Sequence, residues 1–178
     1  MFTKLLETRR SVRTYQDKPV EQDKIDAVVE AALRAPSGKA ARPLAFVVVT
    51  DKALLAKLSV AKPGGAAFVK DAPVGIVVCG DPSVSKLWVE DCSIAAVTMQ
   101  YAAHSLGLGS RWACINGNNF DAGKTSTQYI AELLDLPATL IVECIISIGY
   151  AGEEMVPYKK EELRYEKVSY NRYGRKKA

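Results

Sequence analysis

Arg9, Arg10 and Arg13 place three guanidinium groups within five residues, with the hydroxyl of Ser11 between them. An arginine fork pairs bidentately with phosphate and a nearby hydroxyl adds a donor, so the cluster suits a phosphate monoester; it also has the composition of an exposed basic turn. A second segment, residues 36–43 (PSGKAARP), joins a helix-stopping proline to Gly38, whose missing side chain would let backbone lie against a flat ligand, although an ordinary helix-terminating turn explains it equally well. Asn116-Gly117 is an intrinsically favoured turn pair that could present backbone N–H groups. Lys159, Lys160 and Arg164 add cations to the C-terminal tail, where a solvated face accounts for any one of them.

Other chemistries find little support. Gly107 and Gly109 begin like a dinucleotide fingerprint, but Trp112 stands at the third glycine position and a helix, not a strand, precedes them. His104 is the only histidine and has no cysteine or carboxylate at ligand spacing, so a structural role is expected, with no metal site and no Ser-His-Asp machinery. Glu90 and Asp91 are adjacent, which on a helix turns them to different faces and disqualifies them as an acid/base pair. Cys79, Cys92, Cys114 and Cys144 lie far apart in apolar segments and are expected to be reduced core residues.

The elements that must hold these residues follow from periodicity. Ile25, Val28, Val29, Ala32 and Leu33 form one apolar helical stripe that Pro36 ends. Residues 44–50 (LAFVVVT) and 74–80 (VGIVVCG) read as buried strands, joined by a short helix around Leu54, Leu55 and Leu58. A long helix rich in Ala, Val, Met and Leu is expected from about Ser83 to Leu106, apolar on nearly all faces and suited to an interface. Strands at 112–115 and 139–150 and a helix near Tyr129 to Leu134 complete the pattern, and the tail from Ala151 has no core periodicity. Alternating helices and strands without repeats indicate one sheet in an α+β or α/β domain spanning residues 1–178. The N-terminus lacks a signal-peptide apolar region and no run reaches the length of a spanning helix, so a soluble, cytoplasmic protein is expected. The net charge of +4 is modest and does not favour nucleic acid.

Residues RRSVRTYQDKPV, RAPSGKAARPLAFVVV, KDAPVGIVV and WVEDCSIAAVTMQYAAHSLGLGSRW, with a final strand ending IGY, together resemble the nitroreductase family in order and spacing over nearly the whole chain. The resemblance implies an α+β three-layer sandwich, a mostly antiparallel central sheet flanked by helices, in an intertwined homodimer whose C-terminal extension, residues 151–178, packs on the partner. It implies FMN at the dimer interface, held by Arg9, Arg10, Ser11 and Arg13 at its phosphate, ribityl or pyrimidine side. It assigns Pro36, Ser37, Gly38 and Ala40 to the ring from the partner subunit, Asn116 and Gly117 to the ring edge, and Lys159 and Arg164 to the phosphate. The flavin would carry the chemistry, with no catalytic side chain, passing hydride from NAD(P)H to a nitroaromatic, quinone or similar small acceptor in ping-pong order. Dehalogenation, desaturation or flavin fragmentation on the same fold, and a non-enzymatic nucleotide or RNA phosphate binder, are the alternatives. Ala40, Arg42 and Leu44 depart from the family's commoner Asn, Gln and Trp; Arg42 is either a surface residue or a fixed charge for an anionic acceptor or the extra phosphate of NADPH.

Overall fold

The computed structural model describes residues 2–177. Four strands, β1 (Leu44–Val49), β2 (Val74–Gly80), β3 (Gly109–Cys114) and β4 (Ile141–Gly149), form a sheet of order β1-β2-β4-β3 with every pairing antiparallel. That pairing decides between the two sheet classes: the domain is α+β. The central strands β2 and β4 are buried along almost their whole length, as their largely apolar runs require. β1 was expected to be buried too, but it is an edge strand and most of its residues are half-buried.

Alternation along the strands divides the core in two. Val74, Ile76, Val78, Cys144, Ile146 and Ile148 face the layer made by α2 (Gln22–Leu33) and α4 (Trp88–Ser105). Val77, Cys79, Val142 and Ile145 face the layer made by α3 (Lys52–Ser59) and α5 (Ser126–Leu133). The result is the expected three-layer sandwich. Local signals start its smaller helices: the Asp51 carboxylate accepts from Leu54 N–H at 2.8 Å, and Thr125 with Gln128 forms a reciprocal capping box.

Several boundaries differ from the sequence reading. A short helix, α1 (Phe2–Thr8), precedes the arginine cluster. α4 starts at Trp88, because the Asp81 carboxylate accepts from both the N–H and the hydroxyl of Ser83 and holds residues 81–85 as a turn. Leu33, assigned to the apolar stripe of α2, is 66% exposed, and Cys114 lies exposed at the end of β3 while the other three cysteines are buried. Between Val78 and Cys79 the β2–β4 register slips, which leaves Glu143 as an extra residue in β4.

Candidate functional site

The register fixes where the candidate residues stand. Leu44 pairs with Gly80, Gly80 with Ile141 and Cys114 with Cys144, so the loop before β1 and the loop after β3 lie at one end of the sheet. Gly109 pairs with Gly149, and Ser11 forms a parallel bridge to Ser110, so the arginine segment lies at the other end, beside the start of β3. Six strand residues separate the two ends, about 20 Å at the usual rise. Within one chain, then, residues 36–42 and 116–117 are gathered at one end, and Arg9 to Arg13 at the other.

At the arginine end, buried Val12 plugs the segment onto β3; a side chain on Gly109 would collide with it, so only glycine permits this close approach. Alternation then turns Ser11 and Arg13 outward, and both are exposed. The Glu153 carboxylate pins the segment by accepting from the Arg13 and Thr14 N–H groups at 2.5 and 3.0 Å. Arg10 lies over the Tyr158 ring, 3.8 Å from its centroid. Arg9 lines a cavity of about 700 Å³ with Lys4, Thr8, Tyr158 and Lys160, and its Nε and Nη1 are buried without any acceptor. A charged donor left so costs free energy unless an anion meets it, and Arg9 with Lys160 beside one cavity suits a phosphate monoester, while Glu7, on the same lining, pairs with Lys4 at 3.5 Å. Lys160 is the tail cation placed there. Lys159 and Arg164 are off its lining, and the Arg164 guanidinium is taken up by Glu166 at 2.9 Å.

His104, at the far end of α4, has the structural role expected of it. The Thr8 hydroxyl donates to the Lys4 carbonyl at 2.8 Å, so it accepts from Nε2–H of His104 at 2.7 Å, and burial together with the Arg9 charge lowers the imidazole pKa.

At the loop end, Lys39, Ala40 and Arg42 all adopt left-handed backbone, with φ of 53°, 54° and 51°. None is glycine, and each such residue costs about 1–3 kcal/mol that the surroundings must offset. The surroundings are specific: Gly38 N–H donates to the Asp91 carboxylate at 2.8 Å and Arg42 N–H donates to the Ser37 hydroxyl at 2.9 Å. A Cβ at Gly38 would come 2.6 Å from Leu87 Cδ1, the end of a flexible, exposed side chain of the same protein rather than a flat ligand. Pro36, Ala40 and Arg42 are exposed, Ser37 half-buried, and neither Lys39 nor Arg42 has an acidic partner among the described residues.

On the other loop, the N–H of Asn116 is not free to meet a ligand, since it donates to the Glu143 carbonyl at 3.0 Å. The N–H of Gly117 has no partner among the described residues, while Asn118 closes the turn through its side-chain amide. The carboxyl of Glu143 is buried beneath this turn, and desolvation raises its pKa. Asp91 and Glu143 each retain one buried oxygen without a donor. Among the described residues there is no group of metal-ligating side chains and no helix long and apolar enough to cross a membrane.

Comparison with known proteins agrees with this architecture. A structure described as an FMN-dependent nitroreductase from Clostridium difficile R20291 superposes with a TM-score of 0.93 at 44% identity, covering 95% of this chain and 98% of that one. A Methanothermobacter thermautotrophicus protein provisionally named NADH dehydrogenase/NAD(P)H nitroreductase is 40% identical over 151 residues, 83% of this chain and 76% of its own. The FMN reductase [NAD(P)H] of Bacillus subtilis is 30% identical over 189 aligned positions, 94% of this chain and 72% of its own. The family model described as "Nitroreductase family" matches residues 6–150, from the arginine cluster through the loops at 36–43 and 115–119 to the residue after β4, and the chain therefore belongs to the nitroreductase family.

Proposed function

We propose that this chain is an FMN-dependent NAD(P)H oxidoreductase that works as a homodimer and reduces a nitroaromatic, quinone or similar small acceptor. The observation that carries the reading is Arg9, which lines a cavity with Lys4 and Lys160 and whose Nε and Nη1 are buried with no acceptor among the described residues. Family membership and the FMN reductase [NAD(P)H] relative supply the cofactor and the hydride donor. Bound FMN supplies the two-electron chemistry, and the chain supplies position and charge.

Arg9, Arg10, Ser11 and Arg13 hold the phosphate side, with Lys160 as the tail cation in place of Lys159 and Arg164. Gly117 offers its free N–H at the ring edge, beside Asn116. Pro36, Ser37, Gly38 and Ala40 reach the ring from the partner subunit, an arrangement supported by the strand length that separates them from the arginines of their own chain. Exposed Leu87, Ile94 and Val97 of the α4 region support burial against a second copy, as do the exposed Tyr165, Tyr170 and Tyr173 of the tail, residues 151–178. NAD(P)H and acceptor then occupy the same place in turn, which gives ping-pong kinetics. Four free thiols suit a reducing compartment such as the cytoplasm.

Titration of apoprotein with FMN and FAD tests this reading. Tighter binding of FMN, with NAD(P)H bleaching its visible band and a quinone restoring it, is the expected result. A protein that takes up neither flavin overturns it in favour of a non-enzymatic phosphate binder.

A further inference from the structure

We infer that Asp91 is the positioning residue of the ring-side loop, holding residues 37–42 in their left-handed path from inside the fold. The inference rests on the proposed role of that loop and adds a residue to it. Asp91 is 1% exposed in the first turn of α4, where the helix dipole favours a carboxylate. Its Oδ1 accepts from Gly38 N–H at 2.8 Å, across 53 residues of sequence, and its Oδ2 is buried without a donor. Gly38 opens a run in which three of the next four residues have positive φ. The other fixed points of that run are local: Ala40 and Ala41 donate to the Ser37 and Gly38 carbonyls, and Arg42 donates to the Ser37 hydroxyl. Among the described residues, the Asp91 bond is the one hydrogen bond from residues 37–42 to the helix layer, while Leu87 closes the space above Gly38. Freed from Asp91, the loop has little reason to keep three non-glycine residues left-handed, and Ala40 and Arg42 would leave their present positions.

The chemistry required of Asp91 is an acceptor at Oδ1, not a negative charge. Asp91→Asn keeps the acceptor and supplies an amide in place of the unpaired oxygen. Asp91→Ser is too short to reach Gly38, yet its hydroxyl can bond back to the Leu87 carbonyl one turn earlier, so the helix tolerates it. Amide hydrogen exchange on the FMN-loaded protein reads the loop directly. Exchange at Gly38 and Arg42 should quicken roughly twofold to tenfold in Asp91→Ser, the equivalent of one ordinary hydrogen bond, and stay at the parent rate in Asp91→Asn. Steady-state kinetics should show KM for the acceptor rising in Asp91→Ser and restored in Asp91→Asn.

Unchanged exchange in Asp91→Ser, or equal loosening in both variants, overturns the inference. Loosened exchange with unaltered KM leaves Asp91 as the anchor and instead removes the loop from the substrate site, so the two failures are distinguishable.

Discussion

Replacing Arg9 by methionine should move stability and cofactor affinity in opposite directions. The Nε and Nη1 groups are buried without acceptors, and the guanidinium carbon lies 5.6 Å from the centroid of the Tyr101 ring. An unmet buried donor costs about 1–3 kcal/mol, so two cost roughly 2–6 kcal/mol before relaxation. The contact with Tyr101 returns about 0.5–1 kcal/mol. Arg9 as a whole is only half-buried and water entering the cavity meets part of its need, which places the net effect near the lower end. Apoprotein carrying Arg9→Met should therefore be more stable by about 1–2 kcal/mol, a rise of roughly 2–8 °C in Tm for a chain of this length. FMN should meanwhile bind at least tenfold more weakly, since about 1.5–3 kcal/mol attaches to each charge-assisted hydrogen bond lost. Urea unfolding of both apoproteins at one protein concentration, and fluorescence titration with FMN, measure the two quantities. A less stable Arg9→Met apoprotein, or an unchanged FMN affinity, refutes the assignment of the orphaned guanidinium to the phosphate.

The remaining expectations concern other parts of the chain. Arg42→Ala should raise KM for an anionic acceptor or NADPH by about fivefold to tenfold, the worth of a partly solvated pair, with FMN content and the rate for a neutral quinone nearly intact; equal KM values in variant and parent would make Arg42 a surface residue. Glu21 accepts from the Tyr150 hydroxyl at 2.6 Å, and that bond first, aided by Lys24, lowers its pKa from 4.5 to about 2. Its stabilising contribution is thus full above the unfolded value and lost as pH falls through about 2, so Glu21→Gln should flatten the dependence of Tm on pH between those limits. Sedimentation of the FMN-loaded protein should give a dimer, and a flavin-loaded monomer would break the proposed two-chain site.

How far the sequence could be read depended on the range of the interaction concerned. The apolar runs of β2 and β4 were legible because both strands are central and need no alternation. α1 has no buried residue in its seven, and so left no stripe to detect. The arginine cluster was visible from composition, but the contrast between half-buried Arg9 and exposed Arg13 comes from Val12 docking against Gly109, almost a hundred residues away in the chain. In the tail, Lys159 and Lys160 are neighbours without surrounding periodicity, and only the fold turns Lys160 to the cavity. The left-handed path at Lys39, Ala40 and Arg42 had no signal at all, since none of these residues favours positive φ and the bond that restrains them comes from Asp91.

α4 is what relates the two ends of the site. Asp91, beneath the loop at residues 37–42, and His104, against Thr8 and next to Arg9, stand about 20 Å apart along it. One face of this helix is committed to the core through Cys92, Ala96, Met99 and Ala103. Leu87, Ile94 and Val97, spaced seven and three residues apart, leave the opposite face apolar and exposed. Two such helices packed antiparallel around a twofold axis would carry the loop at residues 37–42 of each chain toward the arginine end of the other. A charge placed at Ile94 or Val97 should on that account weaken FMN binding and dimerisation together, although neither side chain lies on the cavity of Arg9. Loss of the dimer with FMN affinity unchanged would mean that one chain suffices for the cofactor.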